Sequence, residues 1–230
     1  MTITPNLKAF LEMLAVSEIG LPLLAVSDRG YNCIVGSTAA HPILFSPYTD
    51  HPRKLIKLSP TLSSTAAGRY QLLERYYDAY KKSLHLPDFS PASQDAIAIQ
   101  QITERVYRYG WSFDERRADL LRTCFTENAS WSGNIAGVDE VEAVHGRDTI
   151  VTWLSGFWDR QTDQRRHHMM SVSVTMKDDD HAHACSSLLL TSVSGSSLAI
   201  VLTSFYRFDL EQSHDAWRIS NLFEGCDVPF

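Results

Sequence analysis

Between Ser90 and Gly110 the chain has no glycine, and its one proline, Pro91, follows directly on a residue suited to cap a helix. The spacing predicts a long helix starting there. Ile97, Ile99, Ile102, Val106 and Tyr109 keep an apolar side running along it, past residue 101. At that same point the charge balance changes sign: residues 1–101 carry 9 Lys and Arg against 8 Asp and Glu, and residues 102–230 carry 12 against 19. Two halves, 1–101 and 102–230, are therefore expected to share one helix instead of a linker.

The 230 residues suffice for one or two buried cores, and 44% apolar with 21% charged residues is an ordinary globular composition. Net charges of +1 and −7 on the halves supply no basic face for phosphates, so no nucleic-acid partner is expected. No run of 18 apolar residues occurs, which argues against a membrane span. The apolar stretch from Leu11 to Val26 is broken by Glu12, Glu18 and Pro22 and lacks a basic leader, so no signal peptide is read and synthesis is expected in the cytoplasm. Cys33, Cys124, Cys185 and Cys226 have no metal-ligand spacing; reduced thiols, no metal and no cofactor are expected.

Helical spacing recurs at about 6–17, 67–84, 115–125 and 148–158, and residues 20–65 read as loop-rich with short strands at 31–35 and 54–58. Strands are expected at 129–131, 168–176, 182–191, 198–210 and 217–223. The sum is an α+β chain.

Glu18 stands where an apolar helix meets a loop. A carboxyl partly withdrawn from water holds its proton to higher pH and can donate it, as glycosidic cleavage requires. The strings KAFLEMLAVSE at 8–18, GYNCIVGS at 30–37, YTDHPRKL at 48–55, AAGRYQLLERYYDAYKKSL at 66–84 and DFSPASQDAIAIQQI at 88–102 follow in one order. Together, residues 6–102 resemble the lambda-type phage endolysins, lysozyme-like lytic transglycosylases of peptidoglycan. The resemblance implies that Glu18 is the general acid and base that cleaves the glycan to a 1,6-anhydro product. It also implies that Tyr31 and Gln71 line the sugar cleft, with Arg69 and Tyr70 weaker candidates. Asp50, His51 and Arg53 are read as loop architecture or substrate-rim contacts. Asn32 stands where the family pattern has Asp, and the helices that should follow IQQI are replaced by other sequence, so a truncated lysozyme-like domain is expected.

Tyr107, Trp111 and Asp114 are spaced along one helix face, and His167 and His168 alternate on a strand, so only one imidazole can face inward. An Asp holding the tautomer of a neutral His is a proton-transfer dyad. The strings YRYGWSFDERRADLLRTCFTENASW at 107–131, HGRDTIVTWLSGFW at 145–158, RRHHMMSVSV at 165–174 and FYRFDLEQSHDAWRIS at 205–220 make residues 102–230 resemble SnoaL-like polyketide cyclases and dehydratases. That resemblance implies a cone with a curved antiparallel sheet, Asp114 and His167 acting together as base, and His168 beside them as a substrate-binding residue. Trp111, Trp131 and Tyr206, with Phe157 and Trp158, are expected to touch an apolar small molecule. A homodimer through this half is a further implication. His181 and His183 are read as solvent-facing.

The reading placed first is a peptidoglycan-cleaving muramidase acting at the cell wall and carrying an appended pocket domain. The alternative is a SnoaL-like dehydratase, isomerase or binding domain with an inactive endolysin-derived extension. A third is a joined chain with neither site intact.

Overall fold

The computed structural model describes residues 21–135, 139–177, 180–213 and 216–228. Glu18 and the helix expected at 6–17 lie outside the described residues. The chain divides into two compact units, residues 1–100 with 176–180, and residues 101–175 with 181–230.

In the first unit a short helix α1 (Leu21–Ala25) leads into a loop-rich stretch carrying one small hairpin, β1 (Ile56–Lys57) against β2 (Ser63–Ser64). Helix α2 (Glu74–Ser83) follows, shorter than the 67–84 expected from spacing. Gly68 at φ +79° and Gln71 at φ +46° turn the backbone left-handed, and Ala67 and Leu72 exchange both backbone bonds, so the helix cannot begin before Glu74. Ile34, Phe45, Ala67, Leu72, Tyr77, Phe89 and Ile97 form the core. Phe89 is its centre, with the rings of Phe45, Tyr77 and His51 at 5.8, 5.0 and 4.9 Å.

Helix α3 (Pro91–Asp114) is the long helix expected from the sequence. Its start is fixed by Asp88, whose carboxylate accepts from the Ser90 N–H at 2.9 Å and the Ser93 hydroxyl at 3.0 Å. In its later turns Ile102, Val106, Tyr109 and Phe113 are buried at helical spacing in the second unit. Tyr109 meets Phe125, Tyr206 and Phe208 edge-on at 5.8 to 6.1 Å.

The second unit continues through α4 (Ala118–Arg122), β3 (Phe125–Ile135), β4 (Asp139–His145), α5 (Arg147–Ser155), and the long strands β5 (Gln164–Met176), β6 (His181–Ser194), β7 (Ser197–Ser213) and β8 (Ala216–Cys226). The six strands lie in the order β4-β3-β8-β7-β6-β5. This corrects the expected curved, purely antiparallel sheet. The sheet is open and mixed, because β8 fills the place between β7 and β3: antiparallel to β7, it runs parallel to β3. β4 and β5 remain as edges, so nothing closes into a barrel. Strand β4 was not expected from the sequence. No helix among the described residues is long and apolar enough to cross a membrane.

His51 is held by backbone on both ring nitrogens: Nε2 donates to the Leu72 carbonyl at 2.9 Å, and Nδ1 accepts the Arg53 N–H at 3.1 Å. The ring is therefore neutral, and burial holds its pKa below the ordinary histidine value. In the unfolded chain this histidine gains a proton near pH 6.5, and in the folded chain only at lower pH. The unfolded state then binds more protons, so the stability contribution is complete above about pH 6.5 and is lost as pH falls toward the folded value. Hydrogen exchange at the Ala67 and Leu72 amides is expected to quicken between about pH 7 and about pH 5 beyond its intrinsic change. In His51→Gln that excess should vanish.

Candidate active site

Helix α3 ends at the site. Gly110 and Asp114 are four residues apart and share a face. A Cβ at Gly110 would stand 3.3 Å from both His167 Cβ and Met169 Cγ, so the missing side chain lets the helix lie directly on β5. One turn further on, Asp114 reaches the strand with both carboxylate oxygens. Oδ2 accepts the His167 backbone N–H at 2.7 Å, and Oδ1 lies 2.5 Å from His167 Nδ1. The Gln164 amide donates to the Asp114 carbonyl at 3.1 Å, tying the helix end to the start of the strand. Side chains of Asp114 and His167 are 4% and 9% exposed, and Phe113 covers the imidazole edge-on at 5.2 Å. With Nδ1–H committed to the carboxylate, a neutral ring presents the Nε2 lone pair.

His167 lines a cavity of about 190 Å³. Its walls are aromatic: Tyr109, Phe113, Trp131, Trp153, Phe157 and Tyr206. Trp131 packs on Trp153 at 4.4 Å and Trp153 on Phe157 at 5.0 Å, so one side is a continuous ring stack. Polar groups enter from few places, namely Asn134, Gln161, Arg165 and Glu224. Arg165 pairs with Asp163 at 3.2 Å. Burial drives the Glu224 carboxyl above the ordinary carboxylate range, against the opposing pull of His167 and of hydrogen bonding by Tyr206.

Of the residues singled out from sequence, Asp114, His167, Trp131 and Tyr206 come together here. His168 alternates to the other face, where Nε2 lies 3.0 Å from the Thr191 hydroxyl. Trp111 is 59% exposed and, with Tyr107, borders an open groove on the far side of the dyad, its ring 5.9 Å from the Arg166 guanidinium. Phe157 lines the cavity; Trp158 packs against Phe113 at 5.8 Å. His183 lies 3.2 Å from Asp209, each about a third exposed. No cluster of three or more metal-ligating side chains occurs among the described residues.

In the first unit Tyr31 is buried and donates to Asp95 at 2.9 Å, as Tyr70 does at 2.7 Å. Arg69 lies over the Tyr31 ring at 5.0 Å. Gln71 folds back to donate to the Gly68 carbonyl at 2.8 Å. Asp50 and Arg53 form the loop cluster expected of them: Arg53 bonds Asp50 at 3.0 Å and also Asp78, and with Lys81 it holds the Asp50 carboxyl at about 2, against the burial that raises it.

Glu224 went unnoticed in the sequence. Strict alternation from the buried Trp217 and Ile219 would turn residue 224 outward. A register shift where Asp209 faces Asn221 but Leu210 faces Ile219 reverses the parity, so Leu222, Glu224 and Cys226 face in. No residue type in SNLFEGC announces that shift.

The second unit, a mixed sheet with helices beside an aromatic cavity, has a cystatin-like α+β fold. Its fold is similar to that of a function-unknown protein from Mycobacterium tuberculosis, with a TM-score of 0.52 and 19% identity over 60% of this chain and 76% of that one. It is likewise similar to an NTF2-like protein with a cystatin-like fold from Novosphingobium aromaticivorans, with a TM-score of 0.51 and 19% identity over 60% and 90%. The SnoaL-like domain family matches residues 94–222 and the Endolysin family residues 8–109. An endolysin of Escherichia phage P2 is 36% identical over 152 residues, 64% of this chain and 89% of the relative. The endolysin of Escherichia phage lambda is 57% identical over 99 residues, 43% of this chain; the chain spans only 60% of that relative's length. The chain belongs to the SnoaL-like domain family through its second part and to the endolysin family through its first.

At Gly110 two effects of similar size compete. Alanine gains about 1 kcal/mol of helix propensity over glycine but needs its neighbours to yield by a few tenths of an ångström. Gly110→Ala is expected to stay within about 1 kcal/mol of the parent. Gly110→Val adds methyl groups where no space remains and should cost about 1–3 kcal/mol. Urea melts measure both, and loss of the downfield His167 Nδ1–H resonance in the valine variant would report separation of the dyad.

Proposed function

We propose that the second unit is a proton-transfer enzyme of the dehydratase or isomerase type, with His167 as base and Asp114 holding and charging it. One observation carries this reading: Asp114 meets both the backbone N–H and the Nδ1 of His167, a residue that lines an aromatic cavity. The imidazolium formed by taking a C–H proton is stabilised by a carboxylate already in contact, with no reorganisation required. Cavity size limits the substrate. A cavity of about 150 Å³ holds benzene and drug-sized pockets span about 300–1,000 Å³, so 190 Å³ suits one or two rings. The test is deuterium uptake from D₂O by small cyclic ketones, followed by NMR. Asp114→Asn and His167→Ala are each expected to lower the catalysed rate about 10²–10⁴-fold. Equal rates in parent and variants would remove the dyad.

A second reading concerns the first unit and is favoured by its 57% identity to the lambda endolysin over 99 residues. We infer cleavage of peptidoglycan glycan strands, at the cell wall, with Glu18 as general acid and base. A zymogram on purified peptidoglycan should show a cleared band for the parent and none for Glu18→Gln. Absence of clearing by the parent, or clearing by both, would exclude Glu18 catalysis.

A further inference from the structure

The dyad accounts for one wall of the cavity and leaves a carboxyl group on another unused. Glu224 sits on β8 between the inward-facing Leu222 and Cys226, directly across from Tyr206 of β7. Both Glu224 and Tyr206 line the cavity that His167 enters from β5. Gly133 on β3 lets that strand close in: a Cβ there would lie 2.7 Å from the Glu224 carbonyl oxygen. Glu224 is joined to no Lys or Arg among the described residues; hydroxyl and thiol groups of Tyr206, Cys226 and Ser204 surround it, with the Cys226 thiol 3.8 Å from Oε1. Burial among aromatic rings favours the protonated form of this carboxyl, and a protonated carboxyl is a hydrogen donor.

We propose that Glu224 is the acid of this site and that the substrate is a one- or two-ring carbonyl compound with an acidic hydrogen on the carbon beside the carbonyl. This rests on the reading of Asp114 and His167 as the base. His167 Nε2 takes the proton of that C–H bond. The bonding pair forms the new C=C bond, and the C=O π pair moves onto oxygen. That oxygen takes the Glu224 proton and leaves an enol, a Glu224 carboxylate and an imidazolium paired with Asp114. Delivery of the imidazolium proton to another carbon, or to a β-hydroxyl that departs as water, with the enol O–H proton returning to the Glu224 carboxylate, resets both groups without any co-reactant. The division of labour follows from the walls: among the described residues that line the cavity, His167 is the one imidazole and Glu224 the one carboxyl.

The charged and titratable groups facing Glu224 are His167 and Arg165 from β5, Tyr206 from β7, Tyr109 and the nearby Asp114 from α3, and Cys226 on its own strand. Burial raises the Tyr109 and Tyr206 phenols and pushes the Cys226 thiol up to about 12, so these stay neutral across the working range. Arg165 is engaged by Asp163. The step consumes the Glu224 proton, so loss of activity at alkaline pH is expected from Glu224.

The experiment follows deuterium uptake by 2-tetralone from D₂O against pH, with the full chain. The parent should give a bell-shaped profile. Glu224→Gln should lower the maximum on the order of 10²-fold and lose the alkaline limb, while 2-tetralone binding, read by tryptophan quenching, changes less than about threefold. Glu224→Asp should restore the limb and part of the rate. A Glu224→Gln variant with the parent's rate and both limbs, while His167→Ala is inactive, overturns the role of Glu224 and leaves the base intact. A parent no faster than His167→Ala overturns the base reading and this inference with it. Should the glutamine variant fail to fold, the parent decides: a protonated-carboxyl infrared band at neutral pH that moves on ¹³C-glutamate labelling supports the proposal, and its absence overturns it.

Discussion

Everything that is chemically special in the second unit depends on one carboxylate reaching across from a helix end to an edge strand. Asp114 is buried, so its charge has to be met by the protein itself, and it is met twice by the same residue, through the backbone N–H and the ring of His167. A buried charge stripped of its partner costs about 3–5 kcal/mol, so the contact fixes the position of the helix end as firmly as it fixes the imidazole. The contact is possible because the buried stripe of Ile102, Val106, Tyr109 and Phe113 sets the rotational phase of α3, and Gly110 sets its distance from β5. Packing comes first, and the hydrogen bonds then select one arrangement within it.

The cavity has a comparable dependence on irregularity in the sheet. A perfectly regular β8 would bring either Trp217 and Ile219 or Leu222 and Glu224 inward, never both. The irregular register opposite Asp209 lets the strand seal the core at one end with Trp217 and Ile219 and present a carboxyl to the cavity at the other. β3 shows a similar shift between Trp131 and Gly133, where its pairing with β4 loses step. The extra residue there is on β4, so β3 keeps its alternation with Trp131 facing the cavity, and Gly133 allows close approach to β8. Such shifts cost ladder hydrogen bonds and are retained where a side chain must be re-aimed.

What could be read from the sequence is what depends on period and local chemistry. The cap at Ser90 and Pro91 and the apolar spacing through Tyr109 give α3, although the carboxylate that binds the Ser90 N–H is Asp88. Alternation over Arg165 to Met169 correctly sends only one of two histidines inward. What could not be read depends on strands far apart in sequence. The parallel pairing of β3 with β8 arises from where the last strand finds room, and nothing local in either string encodes it. Gln71 enters through the endolysin resemblance, and its left-handed backbone and its bond to the Gly68 carbonyl, which depend on the local turn, are not legible in the string around it. Trp111 shares a helix face with Asp114, but that face turns from groove to core within one turn, so the ring stays outside.

The matches to the two families overlap over residues 94–109, entirely within α3. A helix tolerates such a junction because its backbone bonds are local: each N–H finds its acceptor four residues back whatever the chain does elsewhere. No new turn has to be invented, and no edge strand is left to pair. The requirement falls on side chains alone. Each unit must keep the residues by which it grips its share of the helix. For the first unit these include Gln94, whose amide donates to the Tyr31 and Phe89 carbonyls and accepts the Arg69 N–H, and Ile97, which enters the core around Phe89. For the second they are Ile102, Val106, Tyr109 and Phe113, followed by Asp114. The two sets do not overlap in sequence, and so one helix satisfies two ancestries with neither core giving up a residue to the other.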